Sequence, residues 1–271
     1  MTKKLRQFIS VLLVALTAAT AFAALSACKG GETPAIPDER PVVRVASDIF
    51  APYFFAGEDG EFAGADVELA REAFSRLGYR AEFRTIDWTE KDAMLEAGEI
   101  DCLWGGFTMT DREDLYAWAG PYLYSRHVAV VNAASAITSL AELNGKSVAC
   151  QATSKADELF SAADGSGNVP VAGRLYCFDT FDLAFAALRK GYADAVAGHE
   201  TALVDYIGSL TGEYRVLPEP LLEAQLGVAF GKNDAALAAR LTATLEEMAK
   251  DGVTAEIVGR YGISAERVIV K

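Results

Sequence analysis

Along residues 42–252 the apolar positions switch repeatedly between the short continuous runs of buried strands and the 3.6-residue period of helices. Val42 to Ala46 is a β-branched run, and from Gly64 to Tyr79 the residues Val67, Ala70, Phe74 and Leu77 share one helical face, with Gly78 placed as a C-cap. Thr89-Glu90-Lys91-Asp92 has the form of a capping box opening a helix that ends at Gly98, and Ile100 to Trp104 follows as a buried strand. The same alternation returns downstream. Strands are predicted at Val148–Gln151, Arg174–Phe178 and Ala193–Ala197, with helices at Ser154–Ala163 and Phe181–Lys190 between them, the second closed by Gly191. A strand at Leu226–Phe230 precedes a helix from Asn233 whose Leu237, Leu241, Leu245 and Met248 form a core-facing stripe, capped near Gly252. Alternating β and α elements predict an α/β fold built on parallel sheets. Extended apolar crossings at His127–Asn132 and Leu226–Gly231 divide it into two lobes, residues 41–128 plus 226–271 and residues 129–225, with a ligand cleft between.

The amino terminus follows a different grammar. Lys3, Lys4 and Arg6 precede an apolar stretch from Phe8 to Leu25, and small residues then run into Cys28, as in a secretory signal. The alternative is a transmembrane anchor, because the stretch spans 18 residues. Leu25-Ser26-Ala27-Cys28 resembles the bacterial lipoprotein box, whose cysteine is diacylated and becomes the first residue after cleavage. That resemblance implies a protein held by lipid on Cys28 at the extracytoplasmic face of the cell membrane. Residues 29–40 then read as a flexible tether.

Composition narrows the function classes. The chain is 51% apolar and 23% charged, as in ordinary globular proteins. Its 38 acidic residues outnumber 25 basic ones, and three of the basic ones lie in the leader, so the mature body repels phosphate backbones and no nucleic-acid partner is expected. Cys102, Cys150 and Cys177 sit in apolar runs that read as buried strands; three thiols allow at most one disulfide, and each reads as a small buried hydrophobe.

A set of ordered motifs carries a family resemblance. It comprises Val43-Arg44-Val45-Ala46-Ser47-Asp48-Ile49-Phe50-Ala51-Pro52-Tyr53, Gly64-Ala65-Asp66-Val67-Glu68-Leu69-Ala70, Gly98-Glu99-Ile100-Asp101, Thr108-Met109-Thr110-Asp111-Arg112 and Gly120-Pro121-Tyr122. It continues through Leu143-Asn144-Gly145-Lys146, Leu188-Arg189-Lys190-Gly191-Tyr192-Ala193-Asp194-Ala195 and Lys250-Asp251-Gly252. In order and spacing these resemble the extracellular solute-binding proteins of amino-acid ABC transporters, over nearly all of residues 42–265. The resemblance implies a two-lobed receptor of the type II periplasmic-binding-protein fold that closes hinge-fashion on a small carboxylate-bearing solute, most naturally an amino acid. It further implies a monomer that hands the solute to a membrane permease, with no cofactor and no chemistry performed.

The resemblance also implies roles for individual residues. Arg112, supported by Thr108 and Gly106, matches the clamp on the ligand's carboxylate; a guanidinium suits that task because its planar fork gives two parallel charge-assisted bonds. Only Asp111 separates Thr110 from Arg112, where the family usually has two residues. Phe50 and Trp88 match the pair that sandwiches the ligand's side chain. Thr153 and Ser154 lie in a strand-to-helix turn, where helix amides and a hydroxyl can hold an anion and where a plain N-cap is the alternative. Thr153 stands where the family commonly has glycine. His199 falls where amino-acid receptors place the aspartate that binds the ligand's ammonium. A buried ammonium needs a carboxylate, so Glu200 or Asp48 serves instead, or the ligand is not an ordinary α-amino acid.

Catalysis finds little support. His127 and His199 are the two histidines, Gly198-His199-Glu200 lacks the second histidine of a zincin helix, and neither a P-loop nor a Gly-x-Ser-x-Gly elbow occurs. No metal-ligand spacing stands out. Two further readings of the same fold are a solute sensor acting in trans and a dehydratase with Glu200 as general acid.

Overall fold

A computed structural model describes residues 38–208 and 214–270. The expected leader and Cys28 lie outside the described residues, and among those described no helix is long and apolar enough to cross a membrane.

The chain opens with β1 (Val42–Ser47), a two-residue ribbon of β2 (Phe55–Ala56) and β3 (Phe62–Ala63), and α1 (Ala65–Arg76). β4 (Arg80–Thr85), α2 (Lys91–Glu96) and the short β5 (Cys102–Leu103) follow. The long strand β6 (Ala117–Asn132) then leads into β7 (Ser147–Gln151), α3 (Lys155–Ser161), β8 (Arg174–Phe178), α4 (Phe181–Arg189), β9 (Ala195–His199), α5 (Glu200–Gly208) and β10 (Tyr214–Val216). The chain returns along β11 (Leu222–Phe230) and ends with α6 (Ala235–Lys250) and α7 (Val253–Arg260).

The strand order is β4-β1-β5-β11-β6-β9-β7-β8. β4, β1 and β5 run parallel, as do β9, β7 and β8, so each half has the parallel core that alternating elements require. The crossing strands β6 and β11 pair antiparallel with one another, and each also pairs with its own half, β11 with β5 and β6 with β9. They are longer than the apolar runs suggest. Gly120-Pro121 resembles a turn, but Pro121 sits where the β6–β11 register skips at a bulge between Leu226 and Val228, a place where a missing N–H costs no ladder bond.

Packing explains why the strands read as unbroken apolar runs. On β7 and β9, Val148, Cys150, Ala195 and Ala197 face one cluster while Ala149 and Val196 face another, so both faces of the sheet are dry. In the other half, Leu241, Leu245 and Met248 of α6 bury against Val45, Leu69 and Phe74, and Leu237 packs at the margin. Gly191 closes α4 at a φ of 71°, a left-handed position that a side chain would strain.

Several local expectations change. The cap before α2 is Asp87 rather than Thr89: its Oδ1 accepts from the Thr89 amide (2.9 Å) and hydroxyl (2.7 Å), so the first turn, Trp88–Glu90, is a 3₁₀ turn and α2 starts later. Strand β5 covers only Cys102–Leu103 of the expected run. Strand β4 carries no apolar run because it lies at the sheet edge, paired only with β1. Cys102 and Cys150 are buried as expected, whereas Cys177 is exposed, because β8 is an edge strand with one neighbour.

Candidate functional site

The carboxyl ends of the parallel strands and the loops after them surround a cavity whose atom-free space, counting its opening to solvent, is about 430 Å³. Asp48, Phe50, Trp88, Gly106, Thr108, Arg112, Ser154 and His199 line it, eight of the ten residues expected from sequence. Gly105, Phe107, His127, Gln151, Lys155, Phe181 and Gly198 complete the wall.

Arg112 is 4% exposed. Its Nε donates to Glu158 Oε1 at 2.9 Å, its Nη2 donates to the same oxygen, and its Nη1 reaches the Thr108 carbonyl at 3.4 Å. The guanidinium also lies 5.1 Å from the centre of the Phe107 ring. With three of five N–H donors engaged, two remain for a ligand carboxylate. Glu158 belongs to the opposite half, so this pair bridges the cleft. So do Lys155 to Asp111 (3.2 Å), Gln151 to Asp48 (2.5 Å), and Phe50 against Phe181 with ring centres 5.6 Å apart.

Asp48 follows β1 at the strand's carboxyl end. Burial pushes its carboxyl up to about 6, against the opposing effect of the Gln151 amide that donates to it. Behind the wall, the fully buried Asp66 accepts from the Gly106 amide at 2.6 Å and from the Tyr122 hydroxyl at 2.7 Å, and burial raises its carboxyl to about 7. These bonds hold Gly106 at a φ of 65°, where a Cβ would come within 3.1 Å of both Tyr53 and Phe50.

The two histidines face each other across the β6–β9 pair, with ring centres 5.5 Å apart. His127 Nε2 shares a 2.9 Å hydrogen bond with Thr108 Oγ1. Its Nδ1 and both ring nitrogens of His199 have no protein partner. Burial holds both imidazoles neutral: His127 lies well below the ordinary histidine value, His199 at about 3. The site therefore offers neutral imidazole donors and acceptors beside a cation and a carboxylate.

Two expected residues lie elsewhere. Glu200 does not line the cavity; Arg126 and Arg267 hold its two carboxylate oxygens at the start of α5, and these pairs pull its carboxyl below the usual range despite burial. Two arginines outcompete a cleft-facing orientation, which removes the basis for Glu200 as an ammonium partner or general acid. Thr153 also stays out of the cavity. It adopts a φ of 55°, its amide donates to Asp157 Oδ2 at 2.8 Å, and its hydroxyl accepts from Lys91 Nζ at 3.3 Å. Ser154 reaches the cavity, but its Oγ caps Asp157 N at 3.3 Å, so the cap reading fits.

His127, Gln151, Lys155 and Phe181 escaped the sequence reading. The signals were modest: a histidine inside an apolar crossing, the last residue of a buried strand, and the first residues of two helices.

The family model for bacterial extracellular solute-binding proteins, family 3, matches residues 43–264. The chain belongs to that family. This solute-binding protein is 23% identical over 250 residues to the Bacillus subtilis protein named "Probable amino-acid-binding protein YxeM", covering 91% of this chain and 93% of that one. It is 26% identical over 265 residues to the L-cystine-binding protein TcyA of Bacillus subtilis, covering 92% and 96%. Among solved structures, a substrate-binding protein of an ABC uptake transporter from Streptococcus pneumoniae with bound histidine superposes with a TM-score of 0.76 at 27% identity, over 83% of this chain and 94% of that one. The two-lobed type II periplasmic-binding-protein fold is thus shared, and the solute-binding protein acts on the extracytoplasmic side.

Proposed function

We propose that this solute-binding protein captures an amino acid for an ABC importer. One observation carries the reading: Arg112 and Asp48 line the same aromatic-walled cavity, one suited to a carboxylate and the other to an ammonium. With Glu200 spent on Arg126 and Arg267, Asp48 is the one carboxylate in the cavity wall among the described residues. A ligand ammonium beside it favours the ionised form and repays part of the burial that raises its pKa. Phe50, Trp88, Phe107 and Phe181 enclose the ligand's side chain, and Thr108 with the two histidines gives polar contacts that turn on the side chain's own donors.

Lobe 1 (residues 41–128 plus 226–271) and lobe 2 (residues 129–225) close about β6 and β11, whose bulge supplies the bend. The solute leaves unchanged, delivered to a membrane permease. The protein acts as a monomer tethered by lipid on Cys28, which the lipobox sequence supports.

Thermal melting of the mature protein against a panel of amino acids, keto acids and small peptides tests this. A ligand at a hundred times its dissociation constant adds about 2.7 kcal/mol. Stabilisation by an amino acid, lost with its des-amino analogue, is the expected result. Response to keto acids alone would overturn the assignment of Asp48.

A further inference from the structure

Cys150 on β7 and Cys177 on β8 are direct register partners in the parallel pair, with their sulfurs 3.9 Å apart. Asp157, in the first turn of α3, places Oδ1 3.4 Å from Cys177 Sγ. Among the described residues this is the one group of three histidine, cysteine or acidic side chains whose ligand atoms lie within 4.8 Å of one another. Both cysteines are free thiols. The carboxylate is pinned from two sides: its Oδ2 accepts from Thr153 N at 2.8 Å and its Oδ1 from Ser161 Oγ at 3.0 Å.

We propose that Cys150, Cys177 and Asp157 form a binding site for a thiophilic divalent cation of the zinc type, separate from the solute cavity. The spacing fits the chemistry. A tetrahedral cation with bonds of about 2.3 Å to sulfur and about 2.1 Å to oxygen places its two sulfurs about 3.8 Å apart and each sulfur about 3.6 Å from the oxygen. The two sulfurs at 3.9 Å and the Cys177 sulfur at 3.4 Å from Asp157 Oδ1 already sit close to those separations, and all three ligand atoms lie within 4.8 Å of one another, a gap that side-chain rotation can close. Cys150 is buried and Cys177 exposed, which gives the cation one dry side and one entry side where water fills the fourth position.

Binding converts two thiols to thiolates and releases two protons, with no change of oxidation state. Each thiol must give up its proton to ligate, so the cation competes with protons and binds more tightly as pH rises. A filled site ties β7, β8 and the start of α3 together, one residue from Gln151, whose amide holds Asp48.

The test is a titration of the mature protein, reduced and stripped of metal, with cadmium and with zinc, following proton release, alkylation of Cys177 and the melting temperature. The expected result is one cation per chain, about two protons released, Cys177 shielded from alkylation, and a rise of about 5 °C or more at saturating metal. Cys177→Ser should abolish these effects in a protein whose unliganded melting temperature is near that of the parent, and Asp157→Asn should weaken binding at least tenfold. Cys102→Ser, which alters a thiol remote from the site, should leave binding intact. Failure of the reduced protein to bind either cation, or undiminished binding by Cys177→Ser, would overturn the proposal. A Cys150–Cys177 disulfide that leaves no metal binding after its reduction overturns it equally.

Discussion

His199 places a titratable base where the fold leaves it almost wholly buried. The residue is 3% exposed, both ring nitrogens lack a protein partner, and burial takes its pKa from the ordinary 6.5 to about 3. The sign follows from proton counting. Between about pH 6.5 and about pH 3 the unfolded chain binds a proton at this residue that the native protein refuses, so stability falls as pH drops through that window; above 6.5 both states are neutral and the contribution vanishes. The slope is about 1.4 kcal/mol per pH unit, which amounts to about 2 kcal/mol between pH 8 and pH 5. Asp48 and Asp66 act in the opposite sense. Their raised carboxyls bind protons in the native state that the unfolded chain has lost, so they weaken the fold as pH rises from the ordinary carboxylate value towards about 6 and about 7. A bare pH profile mixes these effects, and comparison with His199→Gln isolates the histidine. Urea unfolding of both proteins, without ligand, gives the difference at each pH. Relative to the variant, the parent should lose about 2 kcal/mol on going from about pH 8 to about pH 5. Parallel profiles would mean that the imidazole is solvated or charged in the native state, and the reasoning from burial would fail.

Arg112→Ala should separate binding from stability. Its partner Glu158 stays solvated when the arginine is removed, so the unliganded fold should lose about 1–3 kcal/mol, chiefly the packing and bonding of the buried guanidinium against Phe107 and the Thr108 carbonyl, while affinity for a carboxylate ligand, measured by calorimetry, should drop by a further factor of roughly 30 to 1,000, about 2–4 kcal/mol. Affinity for an amine-bearing ligand should fall as pH drops below about 6, where Asp48 takes up its proton, and Asp48→Asn should flatten that dependence. Thr153→Gly should leave stability within about 1 kcal/mol of the parent, because relief of the left-handed backbone at a β-branched residue is offset by the entropy of glycine and by loss of the Lys91 hydrogen bond to the Thr153 hydroxyl; a larger shift in melting temperature would contradict this.

The sequence alone determined the alternating core of the fold but not the β2–β3 ribbon, α5, β10 or α7, because the same residues that bury on both faces of β7 and β9 also print continuous apolar runs, and because the helical stripe of α6 is local in the chain. It also marked most of the cavity wall. Strand ends and the turns after them are where a parallel sheet gathers ligand-binding groups, so motif position carried over to Phe50, Trp88, Thr108 and Arg112. Periodicity missed β4, an edge strand whose polar residues face solvent. Side-chain direction was beyond it as well. Glu200 and His199 are neighbours in sequence, yet one turns to Arg126 and Arg267 from distant segments while the other closes the cavity against Phe50 and Tyr53. Cys150 and Cys177 are 27 residues apart and read as two separate hydrophobes until strand register set them side by side. Such facts depend on long-range partners, and a linear pattern records the burial of a residue without recording which group it meets. The tertiary structure chose those partners, and with them the protonation of Asp48, His127 and His199.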